Sequence, residues 1–385
     1  MTKSYDNVPV VLLAEPVDSP NNNRTNNLAL AKKQNTNIDE EQLERLVEQG
    51  YSRGLAESLT MTKAAFGQRI WIIDNSGSMN HPDGHRIVPT LKKGDVKMVP
   101  CSRWEEIQEC VKYHIAMAGA IEASTYFRLL NNPGARVGPQ QFSVADSSER
   151  IMDDVREAQN IIRNEKPHGC TPLTSHILEI HREIKALAPE LRQNGQRVTI
   201  VIATDGLPTD QRGHGGDTMK NEFVEALRML EGLPVWVVIR LCTDEDKVVE
   251  FYNDLDVILE LSVEVLDDFT AEAQEVYECN PWLNYALPIH RMREMGFHDR
   301  VFDMLDERLL TKSELRDFCY LLFGESNFDG VPDPSLDWTG FIQNVEMLLQ
   351  SESLQWNPIS KRMKPWISVK KLNRCYGSGA SCVIM

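Results

Sequence analysis

Runs of large apolar side chains that end abruptly at a polar residue recur along this chain, and they predict its elements. Ile70, Trp71, Ile72 and Ile73 leave no polar face for water, so they read as a strand buried on both sides. "RVTIVIATDG" (197–206) and "VWVVIRL" (235–241) repeat the pattern, and a further strand is expected near Ile258 to Val265. "STYFRLLN" and "RVGPQQFSVAD" are two more strand candidates, with Pro139 pushing the second towards an edge or a bulge. Between these runs the period changes from two to that of a helix. "SRWEEIQECVKYHIAMAGAIEAS" (102–124) is the clearest case, since Ser102 and Glu105 form a capping box at its start. Helices are also expected over 147–165, 172–187, 219–231 and Val248 to Leu255, and the Pro-, Gly- and Lys-rich stretch 81–100 reads as an inserted loop or hairpin. Apolar strands alternating with helices predict an α/β fold, a doubly wound, mostly parallel open sheet with helices on both faces.

The flanks differ from this centre. Residues 1–37, with "SPNNNRTNN", are too polar to fold alone and read as a flexible arm. Residues 38–66 predict an N-terminal helical pair broken at Gly50-Tyr51. Leu43, Leu46 and Val47 form one apolar stripe, and Leu55, Leu59 and Met61 the other. The α/β domain then spans 67–265, a C-terminal helical extension 266–354, and a basic tail 355–385. Phe302, Leu305, Leu309 and Leu310 make an apolar stripe in the extension, which predicts that it packs on the α/β domain instead of forming an independent unit.

A net charge of −16 argues against nucleic acid as the main partner, because phosphate binding needs a positive surface. The eight cysteines include no C-x-x-C pair, so neither a zinc-ligand spacing nor a disulfide framework is visible, and scattered buried thiols fit a reducing compartment. The apolar run Val8 to Ala14 is bracketed by Asp6 and Glu15, which suits no signal peptide, and no run reaches the length of a membrane span. A cytoplasmic protein is expected.

The chemistry gathers where the strands stop. Asp74, Ser76 and Ser78 follow the first buried strand, Asp205 ends the second, and Thr171 in "GCTPLT" precedes a helix. In open α/β sheets the ligand crevice lies beyond the carboxyl ends of the strands. Two carboxylates and three hydroxyls are hard oxygen donors that suit Mg²⁺ or Mn²⁺ and suit zinc or copper poorly. Singly, each residue is ordinary turn or cap chemistry; together at the strand ends they read as a metal site. "DNSGSM", the Thr171 loop and "ATDG" resemble the von Willebrand factor A (vWA, Rossmann-like) domain and its metal-ion-dependent adhesion site over about half of the chain. The resemblance implies that Ser76, Ser78 and Thr171 contact the metal directly, and that Asp74 and Asp205 act directly or through water. It further implies that an acidic side chain of a partner protein completes the octahedron.

Two other motifs bear on function. Cys382-Val383-Ile384-Met385 matches a prenylation signal in which the terminal Met favours farnesyl. "KRMKPWISVKKLNR" (361–374) before it holds six basic residues and no acid, and Cys375 is a candidate for palmitoylation. One lipid chain binds membranes only marginally, so a basic stretch or a second lipid is needed to hold the protein peripherally on the cytosolic face of a membrane. Residues 41–64 weakly resemble the first two helices of a ubiquitin-associated domain, which leaves a cytosolic assembly factor or ubiquitin-linked adaptor with a structural metal site as the alternative function. An EF-hand at 303–318 is rejected, because Arg308 and Leu310 stand where oxygen ligands belong. No catalytic motif is present. The chain lacks a P-loop, H-E-x-x-H and G-x-S-x-G, and His168 beside Cys170 has no acid to orient it. The expectation is a binding protein and not an enzyme.

Overall fold

The computed structural model describes residues 40–89 and 96–377. The arm at 1–37 and the prenylation motif at Cys382 lie outside the described residues. An α/β centre with a mostly parallel six-stranded sheet carries helices on both faces and a helical layer at one side.

In chain order the helical pair is α1 (Glu40–Glu48) and α2 (Arg53–Ala65), followed by strand β1 (Phe66–Ile73). The 81–101 insertion is an antiparallel hairpin, β2 (Gly84–Pro89) with β3 (Val96–Cys101). Next come α3 (Arg103–Ala120), β4 (Thr125–Leu129), β5 (Gln141–Val144), α4 (Ile151–Asn164) and α5 (Leu173–Asn194). The remainder of the centre is β6 (Arg197–Thr204), α6 (Asp217–Arg228), β7 (Val235–Leu241), α7 (Asp246–Ile258) and β8 (Val263–Leu266). The extension contains α8 (Phe269–Cys279), α9 (Leu287–Glu294), α10 (Arg300–Asp303), α11 (Lys312–Phe323), α12 (Glu325–Phe328) and α13 (Trp338–Leu349). A short antiparallel pair, β9 (Gln355–Asn357) and β10 (Arg362–Lys364), leads into α14 (Val369–Tyr376).

The sheet order is β5-β4-β1-β6-β7-β8, and only β5 runs antiparallel to its neighbour. β1, β4, β6 and β7 are almost wholly buried, as the apolar runs Ile70 to Ile73, Ile200 to Ala203 and Val235 to Ile239 require of three of them. Pro139 precedes β5, which is an edge strand, the position where a missing backbone donor is tolerated. One face of the sheet packs on α3 and α4, the other on α5, α6 and α7. The neighbouring strands β1 and β6 therefore send their following helices to opposite faces. That divergence opens a crevice above their carboxyl ends.

Several boundaries differ from the sequence reading. The expected strand at Ile258 to Val265 is shorter, because α7 continues through Ile258 and pairing with β7 begins only at Val263. Helix α5 runs on to Asn194 despite Pro189 and stops at Gly195, whose φ of +65° suits glycine. Val47 and Met61 are exposed, so each apolar stripe of the helical pair is narrower than expected.

The helical pair and the extension share one core. Leu43, Leu46, Leu55 and Leu59 pack with Trp282, Leu315 and Phe318, and the same cluster takes in Met117 and Ile121 near the end of α3. Phe302, Leu305 and Leu310 are fully buried in it. Tyr51, the aromatic residue of the loop compared with ubiquitin-associated domains, is buried with its hydroxyl 2.6 Å from that of Tyr113 on α3. The expectation of a basic tail from residue 355 needs correcting over 355–376. These residues fold onto the same core through the fully buried Trp366, Ile367 and Leu372, with Cys375 half-buried. Lys361, Arg362, Lys370 and Arg374 stay exposed around them. Among the described residues no helix is long and apolar enough to cross a membrane, and no disulfide joins the seven described cysteines.

Gly54 sets how closely α2 approaches α11. A Cβ there would lie 2.2 Å from the Gly324 nitrogen and 2.4 Å from the Leu321 oxygen, and beside it Ser52 Oγ donates to the Leu322 carbonyl at 2.5 Å. Gly54→Ala must therefore force the helices apart, a strain that costs roughly 1–3 kcal/mol. We expect a lower urea midpoint for this variant. An unchanged midpoint would mean that the N-terminal pair does not dock.

Candidate functional site

Four of the five oxygen-bearing residues singled out from the sequence lie on one chain of hydrogen bonds above β1 and β6. Asp74 leaves β1 with its amide bonded to the Ala203 carbonyl of β6 at 2.9 Å. The next turn folds back on it, and Ser76 N donates to Asp74 Oδ1 at 2.8 Å. A short 3-10 turn over Gly77–Asn80 then brings Ser78 Oγ within 3.0 Å of Ser76 Oγ. Ser78 Oγ in turn donates to Asp205 Oδ1 at 2.8 Å. Asp74, Ser76 and Asp205 are buried and Ser78 is exposed, so the cluster opens to solvent on one side.

Thr171 arrives from the loop before α5. A Cβ on Gly206 would sit 3.6 Å from Thr171 Oγ1, which puts that hydroxyl against the turn that carries Asp205. Its backbone is fixed from below by Thr209, whose Oγ1 accepts from Thr171 N at 2.9 Å and whose N–H donates to Thr171 O at 3.0 Å. The rest of the loop is tied to the Asp74 turn. Gly77 N donates to Gly169 O at 3.2 Å, and His168 N to Asn75 O at 2.7 Å. Asn131 braces both sides, donating its backbone N–H to Asn75 Oδ1 at 2.8 Å and its Nδ2 to Cys170 O at 2.8 Å. Gly169 has φ +77° and faces Asn131 so closely that no side chain fits there. His168 and Cys170 are thus parts of the brace that holds Thr171.

Three residues of the site were not singled out from the sequence. Thr204 Oγ1 donates to Asp74 Oδ2 at 2.6 Å, so both oxygens of that carboxylate are held. Its signal was the Thr immediately before Asp205 in "ATDG". Arg103, the first residue of α3, donates Nη1 to Asp205 Oδ2 at 3.0 Å. The same guanidinium grips Asp83 with two bonds of 2.7 and 2.6 Å and reaches Glu245 at 3.2 Å. A planar fork of donors suits this three-way pairing, and a lysine would not reproduce it. Asn75 Nδ2 donates to Glu165 Oε1 at 2.7 Å, anchoring the turn to the end of α4. Cys375 lies on α14 in the helical layer, apart from this cluster.

Comparison with protein-family models and with curated proteins found no match to this chain. Its chemistry is therefore argued from the residues themselves. Mg²⁺ and Mn²⁺ take about six oxygen ligands, near 2.1 Å for Mg²⁺, so neighbouring ligand atoms stand about 3.0 Å apart. The Ser76–Ser78 and Ser78–Asp205 oxygen separations of 3.0 and 2.8 Å suit that spacing. The donor set fits a hard cation.

Burial pushes the Asp74 carboxyl up to about 6, and the charge of Asp205 beside it adds to the push. Burial also raises Asp205, against the pull of Ser78 and Arg103. An acid raised in the folded state stabilises the fold fully only below its unfolded value. The contribution of Asp74 is thus lost as pH rises from 3.8 through about 6. In the presence of chelator, urea midpoints should fall across this window. Asp74→Asn should reduce the slope and leave the variant more stable near neutral pH, by roughly 1–3 kcal/mol. Equal slopes for variant and wild type would show that Asp74 carries no such burden.

Proposed function

We propose that this protein is a von Willebrand A-type binding module that holds Mg²⁺ or Mn²⁺ and uses it to capture an acidic group on a partner protein. The observation that carries the reading is the convergence, in family order, of Asp74, Ser76, Ser78, Thr171 and Asp205 above the β1–β6 crevice. Ser76, Ser78 and Thr171 would hold the cation directly, and Asp74 and Asp205 directly or through water. When bound, the cation supplies an electrophilic position that a carboxylate can fill. Arg103 offsets part of the charge of Asp205, so the cage is poor in negative charge and gains from an anionic sixth ligand. The exposed Ser78 marks the side from which a partner would approach.

The test is direct. Wild-type protein should bind one Mn²⁺, followed by the loss of free-ion paramagnetic signal, with Mg²⁺ competing. Asp74→Ala and Thr171→Ala should each lose that binding while keeping the far-UV spectrum of a folded chain, because β1 is held by Ile70 to Ile73 and not by a metal. Partner capture from extract should disappear with chelator and return with Mg²⁺. Metal binding without chelator-sensitive capture would favour the rival reading, an assembly factor or adaptor with a structural ion. No Mn²⁺ binding would overturn both.

The second part of the proposal is a membrane tether through Cys382, carried by the motif Cys382-Val383-Ile384-Met385 and the exposed cations at Lys361, Arg362, Lys370 and Arg374. These charges are carried by folded elements, so the tether would draw a folded body and not a loose chain to the membrane. Residues 1–385, expressed with Met385 as the last residue, should partition to membranes in cells, and Cys382→Ser should release them to the soluble fraction. Equal membrane retention of the two would sink the tether.

A further inference from the structure

Away from the strand-end cluster, α3 and α9 face each other with two pairs of metal-ligating side chains. Cys110 and His114 stand four residues apart on α3, and His290 and Glu294 stand four apart on α9, so each pair shares one helix face. Cys110 Sγ lies 3.3 Å from Glu294 Oε1, and His114 Nε2 lies 2.9 Å from Glu294 Oε2. The ligand atoms of Cys110, His114 and Glu294 all fall within 4.8 Å of one another, and all three residues are buried. His290 Nε2 approaches Glu294 Oε1 at 3.4 Å.

We propose that Cys110, His114 and Glu294 form a second cation site, of the kind that takes Zn²⁺ or a similar divalent transition metal. Metal–ligand bonds of about 2.0 Å to nitrogen or oxygen and 2.3 Å to sulfur place tetrahedral ligand atoms roughly 3.3–3.6 Å apart. The Cys110–Glu294 and His114–Glu294 separations, each to a different carboxylate oxygen, lie within a few tenths of an ångström of that spacing, and the Cys110 and His114 ligand atoms lie within 4.8 Å of each other. One sulfur, one nitrogen and one carboxylate oxygen are borderline-soft donors, the opposite of the all-oxygen set above β1 and β6. A cavity of about 230 Å³ lined by Cys110, His290 and Glu294, with Met98 of the hairpin on its wall, adjoins the cluster and leaves room for water as a further ligand.

The charges around the site decide how a metal would enter. Glu294 is paired with Arg291 at 2.7 Å and more loosely with Arg240 at 3.5 Å. Arg240 is also paired with Glu106, so Arg291 is the cation that a metal must displace or tolerate. Arg291 sits at the edge of the layer with its guanidinium over the Tyr113 ring, where it keeps a partner. Burial holds the Cys110 thiol protonated and the His114 imidazole neutral. Binding would therefore form a metal–sulfur bond, break the S–H bond and release that proton to solvent through the cavity. His114 Nδ1 has no hydrogen-bond partner, so it can carry the ring proton when Nε2 is the ligand.

Co²⁺ is the probe, added to the whole protein in excess Mg²⁺ so that the oxygen cluster does not report. We expect one equivalent to produce a thiolate-to-cobalt charge-transfer band with the strong visible bands of four-coordination, and Zn²⁺ to displace it. Cys110→Ser should abolish the charge-transfer band, Glu294→Gln should weaken binding by roughly tenfold or more, and Cys319→Ser should leave it unchanged. Zn²⁺ should also slow alkylation of Cys110 in the wild type, a measurement that needs no variant to fold. Absence of the thiolate band in the wild type, or its survival in Cys110→Ser, would overturn the site and leave a hydrogen-bonded ion-pair network. Neither result depends on Mn²⁺ binding at Asp74.

Discussion

Two carboxylates held out of water side by side are the constraint around which this end of the molecule is built. Asp74 and Asp205 follow neighbouring parallel strands, so the sheet forces them together, and each raises the cost of ionising the other. A buried ion stays charged only where donors and opposite charge compensate its lost hydration. Here the compensation is spread over the Ser76 amide, the hydroxyls of Thr204 and Ser78, and the guanidinium of Arg103. It is unequal. Asp205 has a cation against it, whereas Asp74 has only neutral donors, and Asp74 is therefore the group with the more to gain from a bound cation.

That inequality explains the elements which the site recruits. Arg103 can reach Asp205 because it opens α3, and α3 is fixed there by the capping box of Ser102 with Glu105. Asp83 and Glu245 hold the other nitrogens of the same guanidinium, one from the turn before the hairpin and one from the start of α7. The hairpin is thus tied to the site by an ion pair with a half-exposed carboxylate. Such pairs are individually weak at a surface, but a guanidinium this deeply buried cannot be left without them.

Much of this fold was legible because burial on both faces leaves a plain mark. Ile70 to Ile73, Ile200 to Ala203 and Val235 to Ile239 are continuous apolar runs, and all three became parts of central strands. The capping box at Ser102 and the edge position after Pro139 were legible for the same kind of reason, since local chemistry dictates them. The oxygen residues could be listed in order, because a parallel sheet collects the loops after its strands at one end. Arg103 and Asn75 could not, since their partners come from distant parts of the chain and nothing in their own neighbourhoods distinguishes them. The folding of the stretch 361–374 was not legible for the reverse reason. Its cations dominate the composition, while a single tryptophan and two aliphatics, Trp366, Ile367 and Leu372, decide that it folds.

Helix α3 is the element that the two halves of the molecule share. Its first residue, Arg103, neutralises Asp205. Its middle, at Cys110 and His114, meets Glu294 of α9, and its last turns, at Met117 and Ile121, enter the core of the helical layer. A close-packed helix does not bend to absorb a local change, so a shift of α3 along its axis would be felt at both ends. A displacement of Arg103 transmitted by the hairpin through Asp83 therefore acts against the buried contacts of Glu294 as well as those of the site. Glu294 is held by two helices and two guanidiniums, and burial makes each lost contact expensive. The helical layer thus backs α3 and keeps Arg103 in register with Asp205.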